Sequence, residues 1–219
     1  MSSIHSASSL PPASGRAPRQ IVLLLHGYGS NGADLISLAP HWRHALPDAL
    51  FLAPNAPERC PGMASAYQWW DLSTYTPAAL AAGAVRAAPA LHAYIDAQLE
   101  EHKLGEDRLA IAGFSQGTML ALHVGPRRER RIAGILGYSG ALTGATALDH
   151  DPITRPPVLL VHGSADAVVP VSATHQAKAT LQRHGFEVET HISPGLGHNV
   201  DQTGLRLGAD FLTRVLTAG

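Results

Sequence analysis

The sequence predicts a single α/β domain in which a mostly parallel sheet carries helices on both faces. Short apolar runs of strand length alternate along the chain with longer segments of helical character. Most of the short runs are continuously apolar, which is typical of strands buried on both faces. This alternation also implies right-handed crossovers and a doubly wound sheet. No internal repeat or linker divides the chain, so we expect one domain over residues 19–219.

Six segments are expected to form the strands of this sheet. The last of them, FEVETHI, differs from the others because apolar and polar residues alternate along it. Such alternation indicates a half-exposed strand, which we place nearer the sheet edge. The strands are predicted at residues 21–25, 49–53, 108–112, 132–138, 157–161 and 186–192.

Five further segments are predicted to be helices. The second is alanine-rich, and Pro89 within it is expected to kink or break the helix, since proline removes a backbone donor and clashes with the preceding turn. Gly105 is expected to mark the end of that helix. The helices are predicted at residues 31–46, 77–102, 116–124, 172–184 and 201–217.

Residues 1–18 are rich in serine, proline and alanine and contain no acidic residue. We expect them to form a mobile tail without a strand. They lack the contiguous apolar stretch of a secretory signal, and no run in the chain approaches the ~18 apolar residues that span a bilayer. The expected location is the cytoplasm, and integral membrane association is not expected. A transit peptide is the alternative interpretation of this composition.

Charge and composition argue against several functional classes. The formal net charge is −1, which offers no electrostatic attraction to nucleic acid or to an anionic membrane. Cys60 is the only cysteine, so no disulfide can form within the chain, and neither CxxC nor HExxH is present. We therefore expect no metal and no cofactor. A homodimer is left open.

Two connections are longer than the usual joints between elements. Residues 54–76 show no clear periodicity and carry Tyr67, Trp69 and Trp70. Residues 141–156 form the other long connection. Structureless loops of this length in a compact domain are usually functional or mobile.

The segment GFSQG, centred on Ser115, follows a predicted strand and precedes a predicted helix. The pattern G-x-S-x-G at such a turn is typical of a nucleophile elbow, in which Gly113 and Gly117 let the two backbones pass closely. The turn exposes the serine hydroxyl beside a helix N-terminus, whose dipole favours developing negative charge. A serine N-cap with incidental glycines is the alternative.

A serine nucleophile needs a base and a group that orients the base. Asp166 follows the predicted strand 157–161, and His198 follows the predicted strand 186–192. Because the carboxyl ends of parallel strands meet at one edge of the sheet, both side chains are expected near Ser115. The chain order serine, aspartate, histidine is that of the α/β-hydrolases.

Other acids and histidines are less well placed for these roles. Asp149 and Asp151 precede the strand 157–161, so they are expected at the opposite edge of the sheet. His162 directly follows that strand and is expected to point at the sheet rather than over the serine. His191 lies inside a strand, on its polar face.

The loop HGYG after the first strand is expected to complete an oxyanion hole. Its two donors would be the backbone N–H groups of Gln116, which follows the nucleophile, and of Tyr28. His26 is expected to pack behind the loop and fix its shape. A flexible glycine turn is the alternative, since neither a Walker nor a Rossmann pattern is present.

With LHGYG, GFSQG, HGSAD and GLGH in this order, the chain resembles the phospholipase/carboxylesterase family of α/β-hydrolases. The resemblance runs from about Gln20 to the C-terminus, and it implies that Tyr28 and Trp70 line the acyl pocket. Three departures are evident: six strands rather than eight, HGYG in place of HGLG, and no insertion large enough for a lid domain. The resemblance assigns the nucleophile, acid and base to Ser115, Asp166 and His198.

We therefore expect the α/β-hydrolase fold without a separate lid domain, and a serine hydrolase that cleaves carboxylic esters through an acyl-enzyme on Ser115. The partner is expected to be a small-molecule ester or acyl substrate, with no nucleic acid involved. Alternatives are an acyl thioesterase on the same triad, a peptidase or dienelactone-type hydrolase, and a catalytically silent ligand-binding module. The residues expected to contact the substrate are His26, Gly27, Gly29, Trp70 and Val168.

Overall fold

The computed structural model describes residue 4 and residues 7–217 of the chain, and its centre is a seven-stranded sheet. The sheet strands are Ala7–Leu10 (β1), Gln20–Leu25 (β2), Ala49–Pro54 (β3), Leu109–Phe114 (β6), Gly134–Tyr138 (β7), Val158–Gly163 (β8) and Val188–Ser193 (β9). Their order is β1-β3-β2-β6-β7-β8-β9. β1 is antiparallel to β3, and every other neighbouring pair is parallel.

A small hairpin, six α-helices and four short 3₁₀ helices complete the regular structure of the described residues. The hairpin strands are Glu58–Arg59 (β4) and Tyr67–Gln68 (β5). The helices are Gly32–Leu35 (α1), Pro40–Arg43 (α2), Pro77–His102 (α3), Gln116–Val124 (α4), Ser172–Arg183 (α5) and Gln202–Thr217 (α6). The predicted α/β class, with a mostly parallel sheet and no separate lid, is confirmed.

Helices cover both faces of the sheet, and β2 shows why its residues are continuously apolar. Leu23 and Leu25 pack into the layer that includes α3, α4 and α5. Val22 and Leu24 pack into the layer that includes α2 and α6. Burying one such side chain contributes about 1.5–3 kcal/mol relative to leaving it exposed. The prediction of strands buried on both faces is confirmed for β2.

The N-terminal segment differs from the predicted tail. Residues 7–10 form β1, which extends the sheet by pairing with the edge of β3. Ser14 N–H and Arg19 N–H then donate to Pro47 O and Asp48 O, which holds the following residues as well. The serine-rich composition carries no strand signal, because this edge strand is held by backbone pairing with β3 and by a single apolar contact, that of Leu10 with the core. Residues 1–3, 5 and 6, also part of the predicted tail, lie outside the described residues.

The long helix α3 has its predicted span, but the predicted effects of Pro89 and Gly105 on it are not observed. It runs without a break through Pro89, whose exposed position leaves the unpaired carbonyl of the preceding turn open to water. It ends at Lys103, which adopts the left-handed conformation with φ 55°. Gly105 has an extended conformation with φ −83°, so the prediction that it terminates the helix is wrong.

Residues 31–46 do not form the single helix that was predicted. The segment is divided into α1, a short 3₁₀ turn at Ile36–Leu38, and α2. Pro40 occupies the first turn of α2, where its missing N–H costs nothing but prevents one continuous helix. By contrast, β9 lies at the sheet edge as its alternating sequence predicted. Across the described residues, none of the helices combines the length and apolarity needed to cross a bilayer.

His123 lies in the wholly buried helix α4, and its Nδ1 has no hydrogen-bond partner among the described residues. Burial lowers the pKa of His123 to about 4, and the nearby Arg127 guanidinium acts in the same direction. A histidine in an unfolded chain has a pKa of about 6.5, so the unfolded state binds the proton more readily. Neutral His123 thus contributes stability that is present above about pH 6.5 and is lost as the pH falls through about 4.

The variant His123→Leu removes this titrating group and keeps an apolar side chain of similar size. Between about pH 7.5 and about pH 4.5, the free energy of unfolding should fall by about 2 kcal/mol less in the variant than in the parent. Urea unfolding at the two pH values measures the difference. His175→Leu changes an exposed histidine of α5 and should behave like the parent. Equal losses in the parent and in His123→Leu would contradict the prediction.

Candidate active site

Ser115 occupies a strained turn between β6 and α4. Its backbone has φ 54° and ψ −115°, a combination that non-glycine residues adopt only where the surroundings enforce it. A Cβ on Gly117 would overlap the carbonyl oxygen of Leu25, and a Cβ on Gly113 would lie 2.5 Å from the Gly117 carbonyl carbon. Both glycines of the motif are therefore required by the close approach of helix and strand.

Hydrogen bonds to the neighbouring strand hold the turn in place. Ser115 N–H donates to Tyr138 O at the end of β7, at 2.9 Å. The buried Thr118 hydroxyl lies 2.7 Å from Gly113 O and 2.9 Å from Tyr138 O. The backbone of the turn is thus fixed on two sides, and the half-buried Ser115 side chain stands at the carboxyl edge of the sheet.

Asp166 and His198 meet at the same edge of the sheet. His198 Nδ1–H donates to Asp166 Oδ2 at 2.8 Å, while Asp166 Oδ1 accepts from the N–H groups of Val168 and Val169, both at 2.9 Å. Burial alone would raise the pKa of Asp166, but the hydrogen bonds from His198 and from the two backbone N–H groups lower it below its usual value. Asp166 is therefore an ionised carboxylate that orients the His198 ring.

The His198 ring lies beside the serine turn. Its centroid is 4.8 Å from that of Phe114, the residue that precedes Ser115, with an angle of 53° between the planes. The hydrogen bonds that involve Ser115 among the described residues are those of its backbone. The structure thus brings His198 into contact with Asp166 and with the residue that precedes Ser115.

The glycine-rich loop after β2 lies directly against the serine. A Cβ on Gly27 would be 3.3 Å from Ser115 Cβ, so this residue forms the wall of the site. Gly29 has φ 77°, and its N–H donates to Tyr67 O at 3.0 Å, while Tyr67 N–H donates to Ser30 O at 2.8 Å. The loop is therefore fixed on one side of the Tyr28 amide by pairing with β5.

His26 supports this loop from behind. Its side chain is fully buried, its Nδ1–H donates to Gly27 O at 2.7 Å, and its Nε2 accepts from Ala56 N–H at 3.0 Å. Burial lowers the pKa of His26, which keeps the ring neutral and able to accept. Trp69 Nε1–H donates to His26 O at 2.9 Å. His26 thus shapes the site without being open to a substrate.

The Gln116 side chain connects the serine turn to the long loop 54–76, a contact that the sequence analysis did not identify. Its Oε1 accepts from Trp69 N–H at 2.9 Å, and its Nε2 donates to Trp70 O at 2.8 Å. Both groups are buried. A buried amide bonded to a distant backbone leaves no periodic signal in the sequence, so only the folded chain shows it.

The remaining predicted contact residues lie at different depths. Trp70 is 1% exposed and packs on α3, where a Cβ on Gly83 would overlap its ring. Val168, next to the acid, is 62% exposed. Trp70 therefore lies beneath the site, whereas Val168 and the 41% exposed Tyr28 lie at its surface.

An apolar cavity of about 600 Å³ adjoins the turn that carries Asp166. Its walls come from the start of α3, from the segment after β7 and from the start of α5, and many of the lining residues are alanine or glycine. Residues this small carry no sequence signal for a pocket, which is why the sequence did not indicate it. The lining residues include Tyr75, Ala81, Ala141, Gly144, Val169 and Ala173.

The described residues contain no group of three or more His, Cys, Asp or Glu side chains placed to hold a metal ion. The groups that the site itself presents are a hydroxyl, an imidazole, a carboxylate and backbone N–H groups. This set is suited to nucleophilic attack on a carbonyl with proton transfer through the imidazole.

Comparison with known proteins points to one family. Residues 12–216 match the profile of the phospholipase/carboxylesterase family. The solved structure of esterase PE8 has a TM-score of 0.91 and 40% identity, covering 96% of this chain and 99% of that one. Acyl-protein thioesterase 1 of Neurospora crassa is 27% identical over 89% of this chain and 86% of its own length. Acyl-protein thioesterase 1 of Schizosaccharomyces pombe is 32% identical over 68% of this chain and 69% of its own.

The close approach at Gly117 leads to a stability prediction. Gly117→Ala is expected to lower the free energy of unfolding by about 3 kcal/mol or more, because the added methyl group meets a backbone carbonyl that cannot move aside. Chemical denaturation measures the change. Gly197→Ala is the control, since a Cβ at Gly197 would have no atom within 4 Å. Equal stability of the two variants would show that α4 and β2 are not held this closely.

Proposed function

Because the chain belongs to the phospholipase/carboxylesterase family, we propose that Ser115 is its nucleophile, His198 its general base and Asp166 the residue that orients the base. The enzyme is a serine hydrolase with the α/β-hydrolase fold, and it cleaves carboxylic esters. The observation that carries the residue assignment is the bond of 2.8 Å from His198 Nδ1–H to buried Asp166. This bond leaves His198 Nε2 as the ring nitrogen available to accept the serine proton.

Acylation follows from this arrangement. Ser115 Oγ attacks the ester carbonyl carbon while His198 Nε2 takes its proton, which gives a tetrahedral intermediate and an imidazolium. Ionised Asp166 stabilises the imidazolium through the Nδ1–H bond. His198 then returns the proton to the leaving alcohol, the ester C–O bond breaks, and the acyl group remains on Ser115. Water, deprotonated by His198, attacks this acyl-enzyme and releases the acid.

The oxyanion of the intermediate is proposed to lie between the N–H groups of Tyr28 and Gln116. Gln116 N–H begins α4, where the helix dipole favours negative charge. Gly27, next to Tyr28, lies against Ser115, so the loop is close enough to supply the second donor. Each such donor typically contributes about 3–4 kcal/mol to transition-state stabilisation.

The apolar cavity beside Asp166 is proposed to hold the acyl group. Its walls are mostly small and apolar. Val169 is one of the lining residues, so the cavity lies next to the turn that carries Asp166. This position replaces the one inferred from the sequence, because buried Trp70 is not among the cavity-lining residues. A cavity of about 600 Å³ accommodates more than an acetyl group.

Thioester hydrolysis is a second candidate activity of the same triad. Two relatives bear the name acyl-protein thioesterase, and a thioester presents the same carbonyl to Ser115. A thiolate leaves with less need of a proton from His198 than an alkoxide does. Both activities therefore require Ser115.

We propose a small-molecule ester or acyl compound as substrate and no nucleic acid partner, in keeping with the net charge of −1. The single cysteine, Cys60, is buried and free, which is compatible with the reducing cytoplasm. A homodimer stays open.

The nucleophile assignment is tested by Ser115→Ala. The variant is expected to fold like the parent and to lose p-nitrophenyl acetate hydrolysis, butyryl thioester hydrolysis and labelling by a fluorophosphonate probe, because no other group can form the acyl-enzyme. Ser172→Ala, which changes an exposed serine of α5, should retain all three. Activity in Ser115→Ala would remove the assignment. A parent that takes no label and hydrolyses neither substrate would indicate a ligand-binding module instead.

The acyl cavity is tested by lengthening one of its alanines. Ala81→Leu fills part of the cavity and should lower kcat/KM for p-nitrophenyl octanoate about tenfold while changing that for the acetate ester by less than about twofold. Ala82→Leu is the matched control, since Ala82 is the next residue of α3 and is exposed. An equal loss of kcat/KM for both esters in Ala81→Leu would show that the acyl group does not lie in this cavity. A loss of kcat/KM for the octanoate ester in Ala82→Leu would show the same.

A further inference from the structure

His162 is a buried histidine with no direct step in the proposed acyl transfer. It lies in β8, four residues before Asp166, and both side chains are fully buried. Its Nδ1 is 2.7 Å from the hydroxyl of Thr174 in α5, and its Nε2 is 2.9 Å from Val169 O. The same Nε2 is 3.2 Å from Asp166 Oδ2.

The acceptors around Nε2 determine where the His162 proton resides. A carbonyl oxygen and an ionised carboxylate oxygen can only accept hydrogen bonds. An unprotonated Nε2 would direct its lone pair at both of them in a buried region, which is unfavourable. Nε2 therefore carries the proton, which is shared between Val169 O and Asp166 Oδ2. In the neutral ring Nδ1 then accepts, and the Thr174 hydroxyl is its donor.

Asp166 is held by donors on both of its oxygens. Oδ1 accepts from the N–H groups of Val168 and Val169. Oδ2 lies between two imidazoles, with His198 Nδ1 at 2.8 Å and His162 Nε2 at 3.2 Å. Since Val169 donates to Oδ1 and also accepts from His162, the carboxylate and its own turn are fixed by the same ring.

We propose that Thr174 and His162 are positioning residues that orient Asp166 toward His198. The Thr174 hydroxyl keeps His162 in the tautomer with its proton on Nε2, and His162 Nε2–H keeps Oδ2 where His198 Nδ1–H can reach it. Neither residue touches the acyl group, and both act through the carboxylate. The inference rests on the proposed roles of His198 as the general base and of Asp166 as the residue that orients it.

The tautomer of His162 is measurable in the unaltered protein. NMR of the ring nitrogens in ¹⁵N-histidine-labelled protein distinguishes a proton on Nε2 from one on Nδ1, and His162→Gln identifies the signal by its loss. The Nε2–H form is expected in the parent, and a mixture of tautomers is expected in Thr174→Val. An Nδ1–H ring in the parent would overturn the proposal.

Kinetics of two matched pairs test the effect on catalysis. His162→Leu removes the donor, whereas His162→Gln can place its amide N–H near the position of Nε2; Thr174→Val removes the hydroxyl, whereas Thr174→Ser keeps it. With p-nitrophenyl acetate, the Leu and Val variants should lower kcat about tenfold with KM changed by less than about twofold. The Gln and Ser variants should remain near the parent.

A lower melting temperature in the Leu and Val variants with kcat unchanged would show a merely structural role and overturn the proposal. The NMR measurement on the parent needs no folded Leu or Val variant. An inactive Ser115→Ala together with an unchanged kcat in the His162 and Thr174 variants would remove only the positioning pair. An active Ser115→Ala would instead remove the proposed function on which the pair depends.

Discussion

The close approach of α4 to β2 at Gly117 is the constraint on which the rest of the site depends. Only a residue without a side chain lets the helix pass the Leu25 carbonyl, and this passage forces the sharp turn at Ser115, with φ 54°. The same geometry brings the N-terminus of α4 to the carboxyl edge of the sheet. Backbone hydrogen bonds to β7 and the buried Thr118 hydroxyl hold Ser115 in this strained conformation. The proposed nucleophile is therefore exposed by the fold itself.

The loop 54–76 joins the two proposed oxyanion donors into one rigid unit. On one side Gln116 clamps the backbone at Trp69 and Trp70. On the other side Tyr67 pairs with the loop that carries Tyr28. Buried backbone groups must be satisfied, and these bonds satisfy them while setting the distance between the two donors. A long connection with no periodicity of its own is thus ordered by contacts with both sides of the proposed site.

Electrostatics at the site are organised around one buried carboxylate. Asp166 would be costly to bury alone, and the bonds to His198, to two backbone N–H groups and to the proposed His162 donor offset that cost. In the proposed mechanism, keeping Asp166 ionised allows His198 to accept a proton during the reaction. At the buried His26 the balance is the reverse, because burial lowers its pKa by more than the Gly27 carbonyl and the Asp34 carboxylate raise it.

The sequence by itself determined the elements whose signals are local. Periodicity located α3 and α4 at their observed bounds, and turn chemistry together with strand order led to Ser115, Asp166 and His198. The edge strand β1, the Gln116 contact and the alanine-lined cavity were decided only by tertiary structure. Each of these depends on contacts between segments far apart in the chain. Neither periodicity nor composition records such contacts, because they exist only once the sheet has brought those segments together.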